Sequence, residues 1–348
     1  MRDIDTPTDT ESENAMLRRR ITALEHDVQY LRAMMTPLLG SSWRAKLSPK
    51  LFQWVQYEPR DVVELTAAVP EMPLPPPAPR IAIVTPSYNY AEFLGKTVMS
   101  VVTQSYPHLT YVVQDNNSTD GTAELLSHIA GRNSMQEPRR LILRAQGDRG
   151  QADAINRGFA AVPDAEIMAY LNADDILLPG TLAYVARAFL KYPEVDVVYG
   201  HRIFIDIDGM ETGRCVLPNH DRSSIMWMDY IPQETMFWRR RVWNRVGPFD
   251  ESLRFAIDWD FILRAHQEGF RFRRLPRFLA CFRWHDRQKT SAMRKVGADE
   301  QKRLRQRHLG YDPTGKEIGR KIKGYLRRHV LFHRLYKLRL LGLDRNQA

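Results

Sequence analysis

The chain has 348 residues, the length of about two domains. Hydrophobic residues make up 43% and charged residues 26%, which excludes a wholly disordered chain, a collagen and a coiled-coil rod. Net charge is +10, but residues 316–348 hold ten Lys or Arg against two acids, so the excess belongs to one segment.

Residues 1–14 are acidic and polar, which does not fit a signal peptide. Residues 15–36 read as a helix with Leu17, Ile21, Leu24, Val28, Leu31 and Met35 along one seam. That heptad spacing, with β-branched Ile21 and Val28 at a and Leu24 and Leu31 at d, favours a short parallel coiled coil. A homodimer through residues 17–35 is expected; the bland alternative is one amphipathic helix lying on its own domain. Residues 1–40 form this arm and 41–79 a linker. Its 70–79 stretch has six prolines, which exclude helix and central strand.

From residue 80 onward, apolar strand-type runs alternate with helical patterns. Strands are expected at 80–85, 109–114, 140–144, 166–171 and 196–200, and helices at 91–105, 120–130, 151–161 and 180–191. Such alternation implies an α/β fold with a mostly parallel sheet flanked by helices. Open α/β sheets bind ligands beyond the carboxyl ends of their strands. The loops there are TPSYNY (85–90), DNNSTDGT (115–122), DRGQAD (148–153) and NADD (172–175). Singly, each has a bland reading as turn or helix cap; four at one sheet edge suggest a site.

No Gly-x-Gly-x-x-Gly follows the first strand and no Gly-Lys-Ser/Thr loop occurs, so dinucleotide dehydrogenase and P-loop readings lose their main support. The loops are acidic, and a pyrophosphate would need a divalent cation between it and them. Two cysteines, Cys215 and Cys281, without a Cys-x-x-Cys pattern exclude a disulfide framework and a cysteine zinc site. A reducing cytoplasm is the default. Residues 291–348 form a basic tail. Within it 316–343 combine Lys and Arg with Ile318, Ile322, Leu326, Val330, Phe332, Leu335, Tyr336 and Leu340. That pattern suits a helix lying on an anionic membrane surface, or equally one packed on the domain with a solvated basic face. Nucleic acid is not expected, because no aromatic base-reading motif accompanies the charge. No run is apolar enough to span a bilayer.

Residues 80–290 resemble a family 2 glycosyltransferase of the GT-A type. The resemblance runs through TPSYNYAEFL, QDNNSTDGT, GQADAINRG, YLNADDILLPGTL, GPFDESLRFAIDWDFILRA and FRWHDRQKT, in the family's order. It implies an inverting transferase that moves a sugar from a nucleoside diphosphate to an acceptor hydroxyl. Asp174 would bind Mg²⁺ or Mn²⁺, and Asn172 replaces the first acid of the family's D-x-D. Thr85, Pro86 and Tyr88 match the loop against the nucleobase. Asp115 matches the first acid after the second strand, and Asn116 replaces the second. An amide carbonyl can still accept a uracil N–H, so UDP- or dTDP-sugars are favoured. Asp153 and Gln233 complete the donor-binding set. Asp258 matches the catalytic base, with a helix N-cap as its bland alternative. Asp260 reads as structural, paired with Arg264.

The resemblance places His285 near diphosphate or metal, though a lone His is commonly structural. Trp238 reads as core or as a sugar-site wall. Arg149 and Arg157 lie within reach of phosphate or are plain surface residues. The implied acceptor is a carbohydrate or a lipid-linked sugar, in surface polysaccharide or glycolipid synthesis at the inner face of the plasma membrane. The alternatives are a nucleotidyltransferase of the same fold, or a degenerate scaffold suggested by Asn116 and Asn172.

Overall fold

The computed structural model describes residues 54–66, 74, 76–132, 137–288 and 293–341. The expected coiled coil at 17–35 and part of the 70–79 stretch lie outside them. A short helix α1 (Val63–Thr66) precedes the sheet. Three strand–helix units and a fourth strand follow: β1 (Ile81–Ser87) with α2 (Ala91–Val102), β2 (Leu109–Asp115) with α3 (Thr122–Arg132), β3 (Arg140–Ala145) with α4 (Gln151–Ala160), and then β4 (Ile167–Tyr170). Next come β5 (Ile176–Leu177), α5 (Thr181–Lys191), β6 (Val197–Ile205), β7 (Glu211–Cys215) and a 3₁₀ turn at Gln233–Thr235. The rest is β8 (Phe237–Arg239), α6 (Arg240–Val246), α7 (Ile257–Gln267), β9 (Phe272–Arg283), α8 (Arg294–Leu309) and α9 (Gly315–Lys337).

The described strands form one nine-stranded sheet in the order β3-β2-β1-β4-β8-β6-β9-β5, with β7 on β6. Strands β3, β2, β1 and β4 pair in parallel. Strand β8 runs against both β4 and β6, so those two point the same way, and β9 is parallel to β6. The sheet is therefore mixed but mostly parallel, and β1–β4, β6 and β9 all end at one edge. The connection from β1 leads outward to β2, whereas β4 returns to the other flank of β1. That reversal is the switch point at which open α/β sheets hold ligands.

Side chains of β1 alternate between two cores, as a strand buried on both faces must. Ile81 and Ile83 meet α2 and α5 through Leu94, Val98, Leu182 and Phe189. Ala82 and Val84 meet α4 and the C-terminal helices through Ile155, Phe159, Phe261 and Tyr325. Gly158 is where α4 crosses β1 most closely; a Cβ there would stand 2.4 Å from a Val84 methyl. Large aromatics fill the second core: Trp238 is fully buried against Phe159, Phe249 and Phe261, so it is core.

Strand β9 is long, running from Phe272 to Arg283. Its first half reads FRRLPRF, basic and interrupted by Pro276, and so resembles a loop. In the fold this half pairs only with β6, and a proline is tolerated on an unpaired side. Arg273 and Arg277 lie over the rings of Tyr192 and Tyr184. The described part of the basic segment, residues 293–341, packs against the sheet domain. The stripe Ile318, Ile322, Tyr325 and Leu326 of α9 joins the second core, so the apolar side of this helix faces protein. Residues 54–66, within the expected linker, pack on β7. Arg60 bridges to Glu211, and Arg214 is held between Glu64 and Glu211.

Candidate active site

The loop after β4 is the centre. Asn172 ties three segments together: its Oδ1 accepts from Gln151 Nε2 (2.7 Å), and its Nδ2 donates to Gln233 Oε1 (3.1 Å) and Asp175 Oδ2 (3.3 Å). Gln233 Nε2 in turn donates to the Tyr170 carbonyl at 2.8 Å. Gln233 reaches this edge because it precedes β8, which runs against β4. An aspartate at 172 would have no donor to offer Asp175 and would add a like charge beside it.

His285 follows β9 and so arrives at the same edge. Its Nε2 stands 3.0 Å from Asp174 Oδ2, and both side chains are buried. The imidazole lies between the rings of Phe93 (4.7 Å) and Tyr90 (5.9 Å), and its Nδ1 makes no hydrogen bond. Arg283 anchors the strand end by donating from Nε to the Asp174 carbonyl (3.0 Å) and from its backbone N–H to Asp175 Oδ1 (3.1 Å). Burial, with Asp174 beside it, holds the Asp175 carboxyl well above the usual range. The Asp174–His285 pair fits a small divalent cation. With bonds of about 2.1 Å, adjacent ligands of an octahedron lie about 3.0 Å apart. Among the described residues no group of three His, Cys, Asp or Glu converges on one point.

On the far side of β1 the loops are stitched to each other. Asp115 accepts from Ser118 N–H (2.8 Å) and Ser118 Oγ (2.6 Å), and Ser118 Oγ accepts from Asn89 N–H. Asn116 Oδ1 accepts from Asp148 N–H at 2.7 Å, which engages one lone pair of the carbonyl expected to meet a base. Thr85 is buried, its Oγ1 accepting from Tyr111 (2.9 Å). Pro86 is half-buried, while Tyr88 is 58% exposed and open to stacking. Asp153 is buried and bound to Arg149 N–H (2.9 Å) and Arg157 Nε (2.9 Å), so it orders two arginines.

The second half supplies Asp258 in the first turn of α7. Burial pushes its carboxyl up to about 6, against the lowering effect of the Trp259 N–H that bonds it at 2.8 Å. It is not the helix N-cap; Ala256 is. The N–H groups entering this helix are held from outside. Buried Glu300 of α8 accepts from Arg254, Phe255 and Ala256, each at 2.9 Å. Asp260 pairs with Arg264 (2.7 Å) as expected, and also with Arg307 (3.1 Å).

Glu234, buried and paired with Arg202 at 2.7 Å, joins the two halves. Its field is felt by Asp258, and it feels Asp174 in turn. Asp229 is a further member of this group. Burial and the nearby Asp258 hold its carboxyl well above the usual range, and its Oδ1 is buried without a partner. Tyr170 is the common neighbour, touched by the charges of Asp258, Asp229, Asp175 and Glu234. Asp174, Glu234 and Asp258 thus form a chain of largely buried acidic neighbours beyond the strand ends at the switch point. Sequence reasoning did not single out Gln151, Arg202, Asp229, Glu234 or Glu300. Gln151 carried a local signal, its place in the DRGQAD loop, and so did Glu234, its place beside Gln233.

A largely buried acidic cluster with a raised carboxyl, beyond the strand ends at a switch point, marks a candidate ligand site of an α/β protein. Residues 82–261, just over half of the chain, match the family described as Glycosyl transferase family 2, and the chain belongs to that family. A glycosyltransferase of phenolic glycolipid (PGL/p-HBAD) biosynthesis from Mycobacterium tuberculosis is 30% identical over 54% of this chain and 70% of its own length. The match to an uncharacterized glycosyltransferase of Nostoc spans about half (54%) of that relative. Among solved structures, the mannosyltransferase of Pyrobaculum calidifontis with GDP-Man and Mn²⁺ aligns with a TM-score of 0.52. It is 21% identical, over 87% of this chain and 81% of that one. Staphylococcus aureus TarS 1–349 with UDP-GlcNAc aligns with a TM-score of 0.52 at 19% identity, over 73% of each chain. These likenesses show a GT-A-like fold.

Proposed function

We propose that the chain is an inverting glycosyltransferase. It moves a sugar from a nucleoside-diphosphate sugar onto a hydroxyl of a carbohydrate or lipid-linked acceptor, in surface polysaccharide or glycolipid synthesis. The carrying observation is the largely buried acidic cluster in which Glu234 links the Asp174–His285 pair to Asp258. Asp174 and His285 would hold Mg²⁺ or Mn²⁺, whose remaining positions fall to the donor diphosphate and water. Bound there, the cation would offset charge on the departing diphosphate.

The chain's own groups do the rest. Asp258 accepts the acceptor's proton as the new C–O bond forms at the anomeric carbon and the bond to phosphate breaks. Such assistance contributes about 10²–10⁴-fold. A base near pH 6 is ionised at neutral pH yet still basic enough to act. Asn172 and Gln233 fix the loop under the sugar, and Tyr88, Pro86 and the Asp115–Asn116 loop border the nucleoside. UDP- and dTDP-sugars are the first donors to test, with GDP-sugars alongside.

The test is a panel of nucleotide sugars with Mg²⁺ or Mn²⁺, without acceptor, followed by product analysis. Slow release of a nucleoside diphosphate and free sugar is expected. Pyrophosphate release from a nucleoside triphosphate plus a sugar phosphate would instead show a nucleotidyltransferase. No metal-dependent binding of any nucleotide would leave the scaffold reading.

A further inference from the structure

Helix α9 has two opposite faces. At about 100° per residue, Arg320, Lys323, Arg327, Leu331, Arg334 and Leu338 fall within an arc of about 80°, and all six are exposed. Ile322, Tyr325, His329 and His333 are buried on the opposite side. The outer row spans five turns, about 27 Å. Among the described residues no carboxylate pairs with its four basic side chains; nearby Asp221 is already taken by Arg328. Leu331 is 52% exposed and Leu338 67%, within the basic row.

We propose that this outer face docks the protein on an anionic bilayer surface. The charge is complementary to acidic headgroups. The leucines favour a bilayer over nucleic acid, because an apolar side chain gains from the headgroup–acyl boundary and nothing from a phosphate backbone. The contact is one of surface charge with shallow leucine insertion, since the broad apolar stripe of the helix is already spent on the core. The platform is rigid. Tyr325 packs on Tyr230 at 4.2 Å and Lys321 lies over Trp227, so α9 is braced on the segment that carries Asp229. Resting on the proposed function, this places the acceptor side against the lipid surface and names a lipid-linked sugar as the acceptor class.

Vesicle flotation tests the docking without any donor or acceptor, so its outcome is independent of the transferase reading. The full chain is expected to float with phosphatidylcholine vesicles containing about one third phosphatidylglycerol and to stay down with phosphatidylcholine alone. Each basic residue contributes roughly fivefold to partitioning. The Arg320→Glu/Lys323→Glu/Arg327→Glu variant should lose roughly a hundredfold or more with an unchanged melting temperature. Leu331→Ser/Leu338→Ser should lose roughly tenfold on vesicles. Failure of the wild type to float, or equal flotation of the triple variant, overturns the proposal. Duplex DNA binding tighter than vesicle binding, insensitive to the leucine changes, would assign the face to nucleic acid and overturn it too.

Discussion

Asn172 stands where the family pattern has an acid, and its environment explains the exchange. Its amide both accepts and donates, locking Gln151, Gln233 and Asp175, which a carboxylate could not do. Asp258 makes the most direct residue-scale prediction. As the proposed base it must be ionised, so kcat/KM should rise with pH through about 6 and level off above it. Glu234→Gln removes a negative neighbour and leaves Arg202 unpaired, and both effects favour the ionised base. The acidic limb of the pH–rate profile should therefore move to lower pH; an unmoved limb would separate Glu234 from the base. Asp174, Asp258 and His285 were legible because each sits in a local motif directly after a strand or at a helix start. Asp229, Glu234 and Arg202 were not, because their roles arise from charges brought together across long sequence separations.

At the scale of elements, the strand–helix units through β4 could be read from apolar runs alone, since parallel strands are buried on both faces. The half of β9 that carries Pro276 and three arginines could not, because its polar side chains cover aromatic rings from the sheet edge. Helix α8 also hid its role. Its Glu300 supplies the acceptors that the start of α7 lacks locally. Glu300→Ala leaves three N–H groups without that partner, at about 1–3 kcal/mol each if they stay dry. The expected result is a lower melting temperature and a fall in kcat larger than any change in nucleotide affinity, measured by calorimetry and initial rates. Equal loss of both would make Glu300 merely structural.

At the scale of the molecule, segments outside the sheet close the fold. Residues 54–66 and α9 meet at buried Arg214, which donates to Glu64, Glu211 and the Tyr336 hydroxyl. The α9 interface also holds neutral histidines. Burial lowers His329 to about 3, and burial with nearby His266 and Arg222 lowers His220 to about 4. Protonation of the unfolded chain then favours unfolding. The histidines' contribution to stability is full above about pH 6.5 and is lost as pH drops toward 4, while the raised carboxyls of Asp175, Asp229 and Asp258 act in the opposite sense. Denaturant melts from pH 7 to 4 should therefore show His329→Gln losing less stability on acidification than the wild type; identical pH dependence in the two would contradict the buried neutral assignment.

The division of labour between Asp174 and Asp258 is tested most directly by titrating a nucleoside diphosphate with Mn²⁺ into the wild type, Asp174→Asn and Asp258→Asn, with turnover measured on the same samples. The expected result is that Asp174→Asn loses cation-dependent nucleotide binding. Asp258→Asn should bind like the wild type and lose at least about a hundredfold in turnover. Full binding by Asp174→Asn together with full turnover by Asp258→Asn would contradict both roles.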